Sequence, residues 1–322
     1  MNIRVSIGLP VYNADNFLRE AIDSILAQTF TNFELIICDN ASTDKTEEIC
    51  QEYISKDQRI RYYRNEQNIG PARNYNRVFE LSKGDYFKWA NHDDLCAPEF
   101  LEQCVQVLDR LPSVVVAYPK TILINELGKP KNKLFEELNI TSSKPHKRFK
   151  RYHDCTFNPE IVRGEERLGI WMPIYGLIRA NALKMTRLIG LYISSDSILL
   201  EELALIGEFY QVPEHLFFKR EHPERATRKY YSYDQRIIWF NPQKKGKLLF
   251  PQWRLLIERL ISIYNLPINW EEKFYCHLEI LRYIWNWKAY PLTKEIFINL
   301  GRFLNIYSIQ LGSYKKSLPK FW

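Results

Sequence analysis

Three apolar runs, each ending in a carboxylate or carboxamide, constrain this chain more than any other feature. Arg4-Val-Ser-Ile-Gly-Leu-Pro-Val11 stops at Asn13, Phe33-Glu-Leu-Ile-Ile-Cys38 stops at Asp39, and Tyr86-Phe-Lys-Trp-Ala90 stops at Asn91-His-Asp-Asp94. Short, near-continuous apolar runs predict strands buried on both faces, as in helix-covered parallel sheets. Between the first two runs, Phe17, Ala21, Ile22, Ile25 and Leu26 recur at helical spacing; a second helix is expected through about residue 54, and Pro71 opens a third through residue 81. Strand, polar residue, helix: the repeat predicts an α/β fold with a mostly parallel sheet flanked by helices.

In such a sheet, ligands sit outside the carboxyl ends of the strands, which is where Asn91, His92, Asp93 and Asp94 fall. Adjacent carboxylates repel unless a cation joins them, and hard oxygen ligands at this density suit Mg²⁺ or Mn²⁺ with substrate phosphates. The same two aspartates are also placed to cap the helix expected over residues 99–111.

Further strands are expected at 59–64, 113–118, 171–179 and 209–219, with a helix from Asp196 to residue 206. Residues 127–169 show little periodicity and much Lys, Arg, Asn and Pro, which predicts a long mobile loop over a site. Past about Arg225 the pattern is helical, with Trp239, Trp253, Trp270, Trp285, Trp287 and Trp322 among basic residues. Charge is uneven: from Lys219 onward there are 19 Lys and Arg against 8 Asp and Glu, +11, and before it 26 against 30, −4. A basic, aromatic-rich helical tail suits either peripheral contact with an anionic membrane or packing on the preceding domain.

With 46% hydrophobic and 26% charged residues, the chain has the composition of an ordinary globular protein able to bury a core. No apolar run approaches the roughly 18 residues of a membrane span, and Met1-Asn-Ile-Arg4 leads into a strand rather than a signal peptide, so a cytoplasmic location is expected. The six cysteines form no CxxC pair and have no histidine at zinc-ligand spacing, so they are read as reduced thiols. The absence of a GxGxxG or Walker-type loop argues against a nucleotidyltransferase.

Pro10-Val-Tyr-Asn13, Asp39-Asn-Ala-Ser-Thr-Asp44, Asn68-Ile-Gly-Pro-Ala-Arg-Asn74, and Gly84-Asp-Tyr86 with Asn91-His-Asp-Asp94 follow in that order. Together they resemble the family 2 glycosyltransferases of GT-A (Rossmann-like) fold, clearly over residues 3–120 and more weakly to 222. The resemblance implies a catalytic domain over 1–222, its acceptor half at about 113–222, and a helical extension over 223–322. It implies transfer of a sugar, with inversion, from a nucleotide diphosphate sugar of UDP type to a hydroxyl of a glycan or glycolipid in polysaccharide assembly. Asp39 would bind the base; Pro10, Tyr12 and Asn13 would line the base and ribose pocket; Arg73, Asn74, Asn91 and His92 would face the nucleotide. Asp93 would hold Mn²⁺ or Mg²⁺, with His222 as a further ligand, and Asp196 would be the acceptor-side base, ahead of Glu201 and Glu202. The family's metal motif places an Asp where this chain has Asn91, so one carboxylate is missing and a non-catalytic nucleotide-sugar or glycan-binding module is the alternative.

Overall fold

The computed structural model describes residues 3–134, 138, 140–158, 164–225, 233–240 and 248–316. Its centre is a nine-stranded sheet of β1 (Val5–Val11), β2 (Phe33–Asp39), β3 (Ile60–Arg64), β4 (Tyr86–Trp89), β5 (Leu95–Cys96), β6 (Val114–Ile124), β7 (Pro130–Leu134), β8 (Leu177–Arg179) and β9 (Glu208–Arg220). The spatial order is β3-β2-β1-β4-β8-β6-β9-β5, with β7 beside β6. Pairs β3/β2, β2/β1, β1/β4 and β6/β9 are parallel, whereas β8 is antiparallel to both β4 and β6. Two antiparallel pairings cancel, so β6 and β9 run in the same sense as β1, and the carboxyl ends of six strands reach one edge.

Around the sheet lie α1 (Leu18–Leu26), α2 (Thr46–Lys56), α3 (Pro71–Glu80), α4 (Phe100–Arg110), α5 (Pro145–Phe157), α6 (Ala180–Lys184) and α7 (Ser195–Ile206). Strands β1 and β2 are buried along their whole length, as their near-continuous apolar runs require. Gly8 is dictated by packing: a Cβ there would sit 2.6 Å from both Phe87 and Val78. Pro10 is tolerated in this central strand because its N side faces β4, which has already ended at Trp89. Gly70, at φ 85°, opens α3 in a conformation that other residues rarely adopt.

Two sequence expectations are corrected. Residues 127–169 are not one loop: β7 and α5 lie within them. Buried Arg148, Phe149, Tyr152 and His153 form the inward face of α5, and polar residues on that face hide its period. Arg148 donates to the carbonyls of Ala204 and Leu205 at the end of α7, at 2.6 and 2.8 Å, so it satisfies a helix terminus. The strand expected over 171–179 is a 3₁₀ helix, Gly164–Tyr175, followed by the short β8, because Pro173 cannot donate to a ladder.

The C-terminal part is helical, as expected: α8 (Tyr233–Phe240), α9 (Pro251–Asn265), α10 (Trp270–Tyr283), a π turn (Ile284–Lys288) and α11 (Ala289–Lys316). Leu256, Ile263, Cys276, Ile280 and Leu292 form a small core with Phe149 of α5 and Leu205 of α7. Ion pairs reinforce the seam: Arg259 with Glu201, Arg187 with Glu202 and Glu258, and Arg282 with Asp154. Among the described residues, no helix is long and apolar enough to cross a membrane, and all six cysteines are free thiols.

Candidate active site

The loops after β1 and β2 are zipped together. Asn13 N–H donates to Ser42 Oγ at 2.9 Å, Thr43 N–H donates to Asn13 Oδ1 at 2.9 Å, and Ala14 N–H donates to Thr46 Oγ1 at 2.8 Å. Asn13 and Ala41 sit at φ 48° and 61°, a region that asparagine tolerates and that costs alanine more. Tyr12, at the mouth of the same loops, is 46% exposed.

Asp39 ends β2 and is fully buried. Its Oδ1 accepts Ser42 N–H at 2.8 Å, and its Oδ2 accepts both Tyr62 Oη–H and Arg64 Nη1–H at 2.8 Å. A carboxylate offers about four acceptor positions, so one is left for a ligand N–H. Tyr62 and Arg64 are partners that the sequence reading missed; their signal was their register opposite the end of β2.

Asn74, expected to face the nucleotide, is buried with its amide engaged within the protein. Its Nδ2 donates to Cys38 O at 2.8 Å and its Oδ1 accepts from Asn65 Nδ2 at 3.0 Å. It belongs to an amide network with Asn40, Asn65, Asn68 and Arg77 that fixes the 65–70 loop. Arg73, one residue before it, is exposed at the start of α3 and keeps its reach.

At the end of β4 the four polar residues divide their work. Asn91 is clamped: its Oδ1 accepts Tyr75 Oη–H at 2.6 Å and its Nδ2 donates to Asp94 Oδ2 at 2.8 Å. Asp94, buried, also accepts Arg220 N–H at 2.9 Å and lies 3.7 Å from Lys219 Nζ. Asp93 Oδ2 meets His222 Nε2 at 3.0 Å, so the predicted pair is brought together from residues 129 apart in sequence. Burial alone would raise the Asp93 pKa, but the His222 hydrogen bond and the charges of His92, Lys219 and Arg225 outweigh it. Asp93 is held ionised, well below the usual carboxylate range. Arg220 is the brace behind both acids: it donates to Asp93 O at 3.0 Å and Glu126 O at 2.7 Å, pairs with Glu20 at 2.7 Å, and stacks on Phe17.

Asp196 stands at the start of α7, just after Ser194, whose φ of 61° marks a second strained turn at the site. Its Oδ1 accepts Ser197 N–H at 3.0 Å. Burial pushes its pKa up, against backbone N–H groups and Lys219, which favour the ionised form. Asp196 shares the neighbourhood of the β4 cluster: the Tyr75 hydroxyl, raised first by burial, also feels Tyr175, Asp93, Asp94 and Asp196. The runners-up are engaged elsewhere. Glu201 accepts two bonds from Arg259 at 2.7 and 3.0 Å, and Glu202 binds Arg187 and Ser262 at 2.8 and 2.7 Å, so both serve the seam with α9.

No cluster of three or more His, Cys, Asp or Glu side chains able to hold a metal occurs among the described residues. Asp93 and His222 present one oxygen and one nitrogen 3.0 Å apart. That set fits a divalent cation whose remaining positions go to water and phosphate oxygens, the way Mg²⁺ and Mn²⁺ usually bind.

Residues 6–163 match the family model "Glycosyl transferase family 2". An uncharacterized glycosyltransferase of Rickettsia typhi is 42% identical over 123 residues, 38% of this chain and 37% of its own length. One of Methanocaldococcus jannaschii is 31% identical over 150 residues, 44% of this chain and 52% of its own length. The chain thus spans well under two thirds of these relatives. S. aureus TarS 1-349, solved in complex with UDP-GlcNAc, superposes with a TM-score of 0.58 at 16% identity, covering 89% of this chain and 74% of that one. That likeness establishes the fold, which the β-strand order and the helix-covered faces bear out. Over residues 6–163 this chain is similar to glycosyl transferase family 2, and it has the GT-A fold of that solved structure.

Proposed function

We propose that the protein transfers a sugar, with inversion, from a nucleotide diphosphate sugar of UDP type to a hydroxyl of a glycan or lipid-linked glycan. The observation that carries this reading is that Asp39, the Asp93–His222 pair and Asp196 lie at one edge of the sheet, at the ends of β2, β4 and β9 and the start of α7. An acid beyond β2, an ionised acid beyond β4 and a carboxylate of raised pKa opposite suit a base pocket, a diphosphate site and an acceptor-side proton acceptor.

In this reading Asp39 accepts the imide N–H of uracil, while Ser42, Tyr62 and Arg64 hold its carboxylate in place. Tyr12 covers the base, Pro10 and Asn13 shape the wall, and Arg73 and His92 reach the phosphates or ribose. Asn91 contributes to the ribose site only through whichever lone pairs Tyr75 and Asp94 leave open. Asp93 and His222 would hold Mn²⁺ or Mg²⁺, which would supply Lewis acidity toward the departing diphosphate. Asp196 takes the proton of the attacking hydroxyl; one displacement needs one base. The second reading, a nucleotide-sugar-binding module, is favoured by Asn91 in place of a carboxylate. A screen of nucleotide sugars for metal-dependent release of free nucleotide separates the two: release supports the enzyme, and binding without release supports the module.

Asp39→Ala is expected to weaken UDP binding by roughly 1.5–3 kcal/mol, the value of a hydrogen bond to a charged group. It should also destabilise the fold by about 1–2 kcal/mol, because Tyr62 loses its acceptor while Arg64, partly exposed, re-solvates. Calorimetric titration with UDP and thermal melting check both; unchanged UDP affinity removes Asp39 from the base pocket.

Residues 223–322 fit an extension that presents the enzyme to a lipid-linked acceptor. While α10 packs inward through Cys276, Ile280 and Tyr283, its outer face exposes Trp270, Phe274, Leu278 and Leu281 at helical spacing, continued by Trp285 in the π turn. Trp270 and Trp285 are 79% and 85% exposed, which suits indole rings at a headgroup boundary. The +11 charge from Lys219 onward complements an anionic leaflet. Replacing both tryptophans by Ser is expected to reduce sedimentation with phosphatidylglycerol vesicles severalfold and leave the melting temperature unchanged. Equal sedimentation of the two proteins removes the membrane role.

A further inference from the structure

Lys219 lies inside this site and takes no part in the chemistry proposed so far. Its side chain is only 5% exposed, on the last turn of β9 before Arg220 and His222. Among the described residues its ionic partner is Asp94 Oδ2 at 3.7 Å, beyond hydrogen-bond length, and its ammonium lies 4.5 Å from the centre of the Tyr175 ring. An ammonium in so buried a side chain, with no hydrogen bond of normal length, calls for an explanation such as a catalytic role or a bound water or ion.

The surroundings are built to keep it there. Lys88, buried in β4, donates to Tyr175 O at 2.7 Å, which fixes the residue whose ring lies against Lys219; that ring also packs 5.6 Å from Phe217. The charge is retained: burial alone would favour the neutral amine, yet Asp94, followed by Tyr175 and Asp93, holds the pKa above its ordinary value. Lys219 also acts electrostatically on both Asp93 and Asp196, so it stands between the two ends of the proposed chemistry.

Asn91 gives this placement its meaning. With Asn there, Asp93, Asp94 and Lys219 sum to one net negative charge; a carboxylate at 91 would have made it two. The site therefore repels a diphosphate less and depends less on a cation to be entered. We propose that Lys219 is a catalytic residue that binds the diphosphate of the nucleotide donor through its free N–H groups, sharing with the cation the neutralisation of the leaving group. This deepens the function proposed above and rests on it.

The test is calorimetry with UDP and with uridine, each in Mn²⁺ and in excess chelator, on the wild type, Lys219→Met and Lys219→Gln. Wild type is expected to bind UDP in chelator within about tenfold of its affinity in Mn²⁺. Both variants should lose roughly 10- to 100-fold in UDP affinity, more in chelator than in Mn²⁺, as for one charge-assisted phosphate contact. Uridine, which has no phosphate, should bind all three proteins alike, and a fold defect would break that equality. Lys219→Gln keeps most of the stem and gives the same comparison if the Met variant melts early. Equal UDP binding by wild type and both variants overturns the role of Lys219 while leaving the enzyme reading in place. Failure of the wild type to bind UDP under either condition overturns both.

Discussion

Asp93→Ala is expected to lower sugar transfer by at least several hundredfold while leaving the fold intact. Two groups are lost at once: the carboxylate that would hold a divalent cation and the partner that orients His222 at 3.0 Å. At neutral pH the variant loses the stability that the ionised carboxylate contributes, but the turn keeps its form because Arg220 braces it through the Asp93 backbone carbonyl and the Asp94 carboxylate, neither of which is removed. The Asp93 pKa is depressed in the fold, so its contribution to stability is present above the unfolded carboxylate value of about 3.9 and lost as pH falls through the folded one. Wild type and Asp93→Ala should therefore converge in stability only in strong acid. Full activity of wild type in excess chelator, or of the variant in Mn²⁺, contradicts the assignment.

Asp196→Asn is expected to slow the chemical step by roughly 10²–10⁴-fold, the contribution of a general base, with UDP affinity unchanged because the base lies on the acceptor side. The acid limb of the pH–rate profile carries the same information. Asp196 acts only when ionised, and burial raises its pKa, so the limb should lie above the ordinary carboxylate range. Asp93, held lower, contributes no limb there. The stability sign is opposite to that of Asp93: a raised folded pKa contributes stability below the unfolded value and loses it as pH rises through the folded one. At pH 7 the neutral amide should thus melt at the same temperature as wild type or higher. Near-normal transfer by Asp196→Asn, or a lowered melting temperature with normal rate, reduces Asp196 to a residue of the helix start.

The parallel half of the fold was legible because strands buried on both faces are mostly apolar, and β1, β2 and β4 carry near-continuous apolar runs broken only by Ser6, Glu34 and Lys88. Helix α5 was hidden for the converse reason. Its buried face contains Arg148 and His153, whose partners lie more than forty residues away in α7, so a polar sequence forms an interior helix. Site residues followed the same division. Asp93 and His222 sit at strand ends, where polarity after an apolar run is a strong signal. Asn74 follows a similar motif, yet its amide is taken by Cys38 O, a contact across 36 residues that no local pattern announces. Lys219 and Arg220 close a strand that also carries Gln211, Glu214 and His215, so no local pattern marks them; their buried placement is apparent only beside Asp94 and Glu126.

The central claim is that one edge of the sheet binds a nucleotide diphosphate sugar between Asp39 and the Asp93–His222 pair. A crystal structure of the protein soaked with UDP and MnCl₂ tests it most directly. The account predicts uracil against the free lone pair of Asp39, an anomalous manganese peak between Asp93 and His222, and the diphosphate spanning the two. Nucleotide bound away from Asp39, or manganese with no contact to Asp93, would contradict it.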